Sequence, residues 1–207
     1  VDGETGKNQT GAGRIALLRS TDGGASWTTI SMAATHEGAP CRVKHCYPDF
    51  FTGQAAVAVD RSGGFAFAYA QNRVRQGPNA LYVRRSSDGV RWSDPVAVAV
   101  AGNSTSPAIA AGPAAGDFRL VWQDDRKGAG LWNTWYARSR DGGATWSRSV
   151  RLSDRGAGAP YKHRDGYDFP FGDYLGLSVD SDGTNYVIWG EGSAVYLPGG
   201  TWWTRNE

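Results

Sequence analysis

One nine-residue phrase recurs along the chain. Arg19-Ser20-Thr21-Asp22-Gly23-Gly24-Ala25-Ser26-Trp27 returns as Arg138-Ser139-Arg140-Asp141-Gly142-Gly143-Ala144-Thr145-Trp146, and one residue shorter as Arg85-Ser86-Ser87-Asp88-Gly89-Val90-Arg91-Trp92. Self-similarity at long spacing is the mark of a repeat architecture, so the chain is expected to fold as copies of one unit. Asp-Gly joins a residue that tolerates left-handed backbone to one that adopts it freely, and the carboxylate can accept nearby backbone N–H bonds. The Trp then anchors the returning chain in apolar packing. Alternating stretches precede the phrases at 15–18, 81–83 and 135–137 and follow them at 96–98 and 150–152. They read as strands, which makes each phrase the turn of a hairpin.

A second hairpin lies between the phrases: 55–60 and 65–70 around turn 61–64, 108–111 and 118–122 around turn 112–117, and 175–180 and 184–189 around turn 181–183. With these strands called A and B, and those flanking the Asp-Gly phrase C and D, the chain spells C, D, then A to D twice, then A, B and a last C at 201–205. Four-stranded antiparallel units without helical periodicity predict an all-β fold, a β-propeller. A sandwich or barrel would not need the same turn at the same place in every unit. The blades are expected at 1–35 (partial), 51–100, 104–153 and 172–207 (partial), all parts of one propeller domain.

Composition agrees. At 207 residues one domain is the prior, and 29 glycines beside nine Trp, nine Tyr and seven Phe suit tight turns joining aromatic strands. No apolar run approaches the roughly 20 residues of a spanning helix, so membrane insertion is not expected. A net charge of +2 without a basic block argues against a nucleic-acid partner. The chain opens on Val1 and its one Met is Met32, so a signal peptide or more is expected to precede it. Cys41 and Cys46 are close enough for a disulfide across a sharp turn, which would imply an oxidising compartment. The alternatives are two free thiols, or a zinc site from His36, Cys41, His45 and Cys46 that lacks the usual paired CxxC spacing.

Ser20, Asp22, Gly24 and Trp27, and Ser139, Asp141, Gly143 and Trp146, spell Ser-x-Asp-x-Gly-x-x-Trp; Ser86, Asp88 and Trp92 fit it with one residue fewer. The pattern resembles the Asp-box, or BNR repeat, and the chain resembles the secreted sialidase-like β-propellers that carry it. Residues 166–174 and 187–192 also look like the final blades of bacterial members. The resemblance implies a secreted, periplasmic or cell-surface protein and a ring of six blades, of which this chain supplies three to four. A second chain or a preceding segment would complete it. It also implies that Asp22, Trp27, Asp88, Trp92, Asp141 and Trp146 are structural, away from the active face. Sialidases carry an early Arg-Ile-Pro whose Arg joins a carboxylate-binding triad, an acidic acid/base residue, and a Tyr/Glu nucleophile pair. No Arg-Ile-Pro occurs here, through a lost activity or through a segment lying elsewhere. Asp-boxes also occur in xyloglucan hydrolases, sortilin-like receptors and photosystem assembly factors, so function must be read from the other face.

In such a blade the B–C and D–A loops share the end opposite the Asp-Gly turns. They are 71–76, 124–130 and 191–199, and 36–53, 101–106 and 154–172, long and polar, where function concentrates. Asp124 and Asp125 are candidate acid/base residues and Arg126 a candidate bidentate clamp for a substrate carboxylate, with Arg73 in the matching loop. The bland alternative is a charge cluster satisfying itself. Pairing Asp180 near Thr184 puts Asp173 opposite Glu191. Two facing carboxylates are unfavourable, so Arg164, Lys162, a bound metal ion or a ligand is expected to supply a cation. Tyr174 beside Glu191 matches the covalent pair of sialidases; alternatively Tyr174 packs in the core and Glu191 is exposed. Trp132 and Tyr167, with Tyr161 and Phe171, are candidate sugar-stacking residues. Asp180-Ser181-Asp182-Gly183 resembles the opening of a calcium loop but reads as a plain turn. No cofactor is expected beyond that cation. The expected function is exo-acting glycoside hydrolysis, sialidase first; the rivals are a non-catalytic glycan-binding or adhesion propeller and an assembly propeller without a sugar ligand.

Overall fold

The computed structural model describes residues 12–37, 54–159, 175–191 and 200–206. Among them are thirteen strands: β1 Gly13–Arg19, β2 Thr28–Thr35, β3 Ala55–Val59, β4 Phe65–Gln71, β5 Ala80–Ser86, β6 Val96–Ala99, β7 Ser104–Ala111, β8 Phe118–Asp124, β9 Asn133–Ser139, β10 Val150–Arg151, β11 Leu175–Val179, β12 Asn185–Glu191 and β13 Gly200–Asn206. They form four antiparallel sheets in chain order, β1–β2, β3 to β6, β7 to β10 and β11 to β13. The first strands of successive sheets lie side by side, β3 against β7 and β7 against β11. Meanders stacked around their innermost strands are the blades of a β-propeller.

Because side chains alternate across a strand, a blade between two others buries both faces. Phe67 and Tyr69 of β4 join Ile15 and Met32 in one core, while Ala66 and Ala68 of the same strand face Phe118, Leu120 and Trp122 in another. Small residues on one blade thus admit large ones from the next. Val121, Val187 and Trp189 make the third core. All seven residues of β8 are buried. Val57 and Val59 on the first strand of the second sheet, and Tyr186, Ile188 and Trp203 of the last sheet, leave apolar surface exposed.

The three repeated phrases are the turns between C and D strands. The Ser139 Oγ accepts the Gly143 N–H at 2.8 Å and donates to Asp141 at 2.8 Å, and Asp141 accepts the Thr145 N–H at 2.9 Å. Gly142 and Gly143 sit at φ +71° and +88°, where a side chain would be strained. The bonds from Thr145 hold the Asp141 carboxyl down at about 2. Ser20 and Asp22 repeat this geometry, and Asp88 in the shorter copy accepts from the Val90 and Arg91 N–H groups at 2.8 Å. Trp92 and Trp146 pack against the cores, whereas Trp27 is exposed.

At the same end polar groups staple blades together. Asp60 accepts the Gly116 N–H of the next blade at 2.6 Å. Buried Arg119 meets Asp117 at 2.8 and 2.9 Å, the Tyr136 hydroxyl at 3.0 Å and Asn185 of the last sheet at 3.2 Å. Burial works against ionising Asp117, but the bonds from Arg119 and Arg138 outweigh it and hold the carboxyl below its ordinary value.

Candidate functional site

The opposite end carries the B–C and D–A loops, and three B strands deliver equivalent residues to it. Strand β8 ends Trp122-Gln123-Asp124, β12 ends Trp189-Gly190-Glu191, and β4 ends Tyr69-Ala70-Gln71. Each aromatic stands opposite another across the ladder: Tyr69 with Tyr82, Trp122 with Trp135, Trp189 with Trp202. Two residues after each aromatic the chain places an acceptor, Asp, Glu or Gln. Four residues after it stands Arg126 in one blade, Arg73 in another and Ser193 in the third.

In the middle copy the set is closed. Asp124 is fully buried, accepts the Trp122 indole N–H at 2.8 Å, and is bound by Arg126 through Nε at 2.8 and 2.9 Å and Nη2 at 2.5 Å. The remaining Arg126 Nη1 donates to Ser149 Oγ at 3.0 Å, and the guanidinium lies 4.1 Å over the Trp135 ring. Arg126 is therefore engaged with Asp124, and Asp124 is a buried carboxylate held between an indole and a guanidinium. The bland alternative holds for this pair, with the difference that it is buried and not solvated.

The last copy is open. Glu191 is 5% exposed and accepts the Trp189 indole N–H at 2.8 Å. No cation among the described residues stands within ion-pairing distance of it. Burial pushes its carboxyl above the usual value; the Trp189 bond and Arg155 pull it back in part, while nearby Asp154 pushes it further. A carboxyl in this state can hold a proton closer to neutral pH than a solvated one. Exposure of Glu191, the bland alternative, is not what the fold gives. Gln123 donates to the Gly190 carbonyl at 3.3 Å, joining the rims of the two B strands. Asn133 donates to Ser153 Oγ at 3.0 Å and to the Arg155 carbonyl at 2.7 Å, which ties the D–A loop bearing Asp154 and Arg155 to β9.

Other candidates fall elsewhere. Asp125 is a loop brace: its carboxylate accepts the Asn103 N–H at 2.7 Å and the Gly130 N–H at 3.0 Å. Trp132 pairs with Ala159 in a β-bridge and is 7% exposed, so its ring belongs to the packing and offers no sugar platform. Arg73 is exposed and stacks 4.5 Å over Tyr82, while Arg75 is taken by Glu37 at 2.7 Å. Strands β11 and β12 run in the expected register, Leu175 opposite Trp189 through Val179 opposite Asn185. Asp173 and Tyr174, with Arg164, Lys162, Tyr161, Tyr167, Phe171, Cys41 and Cys46, lie outside the described residues. Among the described residues no three His, Cys, Asp or Glu side chains converge as metal ligands. Sequence reasoning missed the indole clamps; the shared aromatic-x-carboxylate spacing at the ends of equivalent strands was the available signal.

The fold and this end define the class, a β-propeller with its polar loop face on one side. No family model matches the sequence, and no curated protein matches it either. Solved structures do resemble it. An α-L-arabinofuranosidase from Fusarium graminearum, in complex with an iminosugar inhibitor, superposes with a TM-score of 0.57 at 14% identity over 93% of this chain and 53% of its own. An α-L-arabinanase from Penicillium chrysogenum, complexed with arabinobiose, gives 0.50 at 15% identity over 86% and 49%. The chain thus spans about half the length of either. At these identities the likeness is one of fold, and it does not extend to the sialidase family.

Proposed function

We propose that the protein is a glycoside hydrolase acting on glycans at its loop face, with Glu191 as the group that exchanges a proton with the reacting sugar. The observation that carries this is the contrast between two copies of one device: Asp124 is closed by Arg126, while Glu191 is buried with an upward-shifted carboxyl and no such cation. A carboxyl poised in this way can protonate a leaving glycosidic oxygen and later take a proton from the attacking group. The half-length likeness to an arabinofuranosidase and an arabinanase supports glycosidic chemistry of this kind. The finer form of the proposal is exo-action of the sialidase type. In that form Glu191 starts ionised and takes the phenol proton of Tyr174 as the phenol oxygen bonds to the anomeric carbon, and the departing glycosidic oxygen takes its proton from water.

Assays with a fluorogenic sialoside and with p-nitrophenyl α-L-arabinofuranoside, on the longest chain that expresses, separate the forms. Turnover of either, lost by about 100-fold or more in Glu191→Gln with no fall in the thermal midpoint, is the expected result. Turnover undiminished by Glu191→Gln would remove Glu191 from the chemistry. The second reading, a non-catalytic glycan-binding propeller, is favoured by the engagement of Arg126, which leaves a substrate carboxylate without that clamp. Glycan binding with no turnover of either substrate would establish it.

A further inference from the structure

We infer that two copies of this chain close one propeller, the outer face of the last sheet in one copy docking head to tail on the open side of β3 in the other. Equivalent positions in successive blades carry the argument. One residue before each rim aromatic, the B strand and the C strand beside it present a pair of side chains toward the following blade. The pairs are Ala68 with Val83, Val121 with Tyr136, and Ile188 with Trp203. Ala68 and Val83 pack with Phe118, Leu120 and Trp122 of the third blade, and Val121 and Tyr136 with Val187 and Trp189 of the last sheet. The last pair is open: Ile188 is 50% exposed and Trp203 72%, with Tyr186 beside them on β12.

The complementary surface is open too. The first strand of a blade turns alternate residues toward the blade before it, so Ile109 and Ala111 of β7 pack on the core of the second blade, and Leu175 and Leu177 of β11 on that of the third. Register makes Val57 and Val59 of β3 the counterparts of Ile109 and Ala111. Val57 stands opposite Phe67 as Ile109 stands opposite Leu120, and Val59 opposite Phe65 as Ala111 opposite Phe118. Val57 and Val59 are 46% and 48% exposed, because the first sheet, β1 and β2 alone among the described residues, leaves them uncovered.

The two internal junctions therefore show what covers each open face. A surface like that of Ile188 and Trp203 meets the inner strands of a following blade, and a surface like that of Val57 and Val59 meets the strands of a preceding one. Leaving both in water forgoes the burial that stabilises the internal junctions. A contact between two different surfaces of identical chains closes into a ring when the rotation per copy divides a full turn. The chain spans 53% and 49% of the two solved structures it superposes on, so one copy carries about half of such a ring and a second completes it. Each copy brings three inner hairpins, β3–β4, β7–β8 and β11–β12, and two copies stay within the roughly four to eight blades with which propellers close.

Sedimentation velocity of the full 207-residue chain across micromolar concentrations tests this, and a dimer is expected. Trp203→Lys and Val59→Lys alter exposed positions of the single chain, so its circular dichroism spectrum should not change. Each should weaken dimerisation by about tenfold or more, since every junction uses one face of each kind. An equimolar mixture of the two variants should recover association, because the intact outer face of one can meet the intact β3 side of the other. Val90→Lys, at an exposed position of an Asp-Gly turn, should leave the dimer as it is. A monomer at every concentration would mean that something other than a second copy covers these faces. A dimer insensitive to Val59→Lys would mean that two outer faces meet symmetrically, and assemblies growing without limit would mean that the rotation does not close. Equal loss in Val90→Lys would mean general charge repulsion. Each of these four results overturns the proposal. The readout is mass and does not involve Glu191, so this proposal and the catalytic one fail separately.

Discussion

Arg126→Ala separates a structural carboxylate from a reactive one. Removing the guanidinium leaves Asp124, fully buried, with the Trp122 indole N–H as its remaining side-chain donor. Breaking a buried ion pair from one side costs about 3–5 kcal/mol. Arg126 keeps 19% side-chain exposure, so water can partly replace it and the lower end, about 3 kcal/mol, applies. Loss of the guanidinium from the face of Trp135 adds about 0.5–1 kcal/mol. The sum, about 3–4 kcal/mol, lowers the thermal midpoint by about 6–16 °C for a chain of this length. Circular dichroism melts measure it. Adding Asp124→Asn to the variant removes the stranded charge and should recover part of the loss.

The same melts on Glu191→Gln should give the opposite sign. Burial raises the Glu191 carboxyl in the folded state, so the fold binds that proton more tightly than the unfolded chain does. Its favourable contribution is complete below the unfolded value and is lost as pH rises through the folded one. At neutral pH the amide should be neutral to stabilising, and the advantage should vanish as pH falls toward the ordinary carboxylate range. A midpoint for Arg126→Ala within a degree or two of the parent would refute the reasoning, because Arg126 would then be free for substrate. Equal losses in the two variants would refute it as well.

Two further substitutions probe the frame. Asp117→Asn leaves Arg119, 3% exposed, with Tyr136 and Asn185 as its side-chain partners, and should cost about 3–5 kcal/mol in chemical denaturation. Because the Asp117 carboxyl is held low, its contribution is present above the unfolded value and fades as pH falls through the folded one, so the difference between parent and variant should shrink in acid. Gly102→Ala places a Cβ 2.6 Å from the Arg126 backbone nitrogen at φ +71°, and should destabilise by more than about 1 kcal/mol in the same assay.

The propeller was legible because its information is periodic. An Asp-Gly turn fixes a hairpin, equal turns fix equal hairpins, and the pairing of Asp180 with Thr184 sets the register that the last sheet adopts, with Asp180 N–H on the Thr184 carbonyl at 3.1 Å. The candidate site was legible only as a neighbourhood. Adjacency placed Asp124, Asp125 and Arg126 at one rim but not the direction of each side chain: Asp124 turns inward under an indole, Asp125 braces Gly130, and Arg126 folds back over Trp135. Trp132 looked like a loop aromatic because its partner, Ala159, is distant in sequence, and only the tertiary bridge buries it.

Repeats nevertheless allow a comparison that single-copy folds do not. Each described blade from the second onward ends its B strand with an aromatic residue and an acceptor two positions on. The third blade has both members, Asp124 and Arg126, and they cancel. The second keeps the cation, Arg73, but has Gln71 in place of the acid, so Arg73 rests on Tyr82 in solvent. The last keeps the acid, Glu191, and among the described residues no cation pairs with it, so burial acts on the carboxyl without a guanidinium such as the one bound to Asp124. The difference between the copies thus lies in which of the two members, acid or cation, each blade supplies among the described residues.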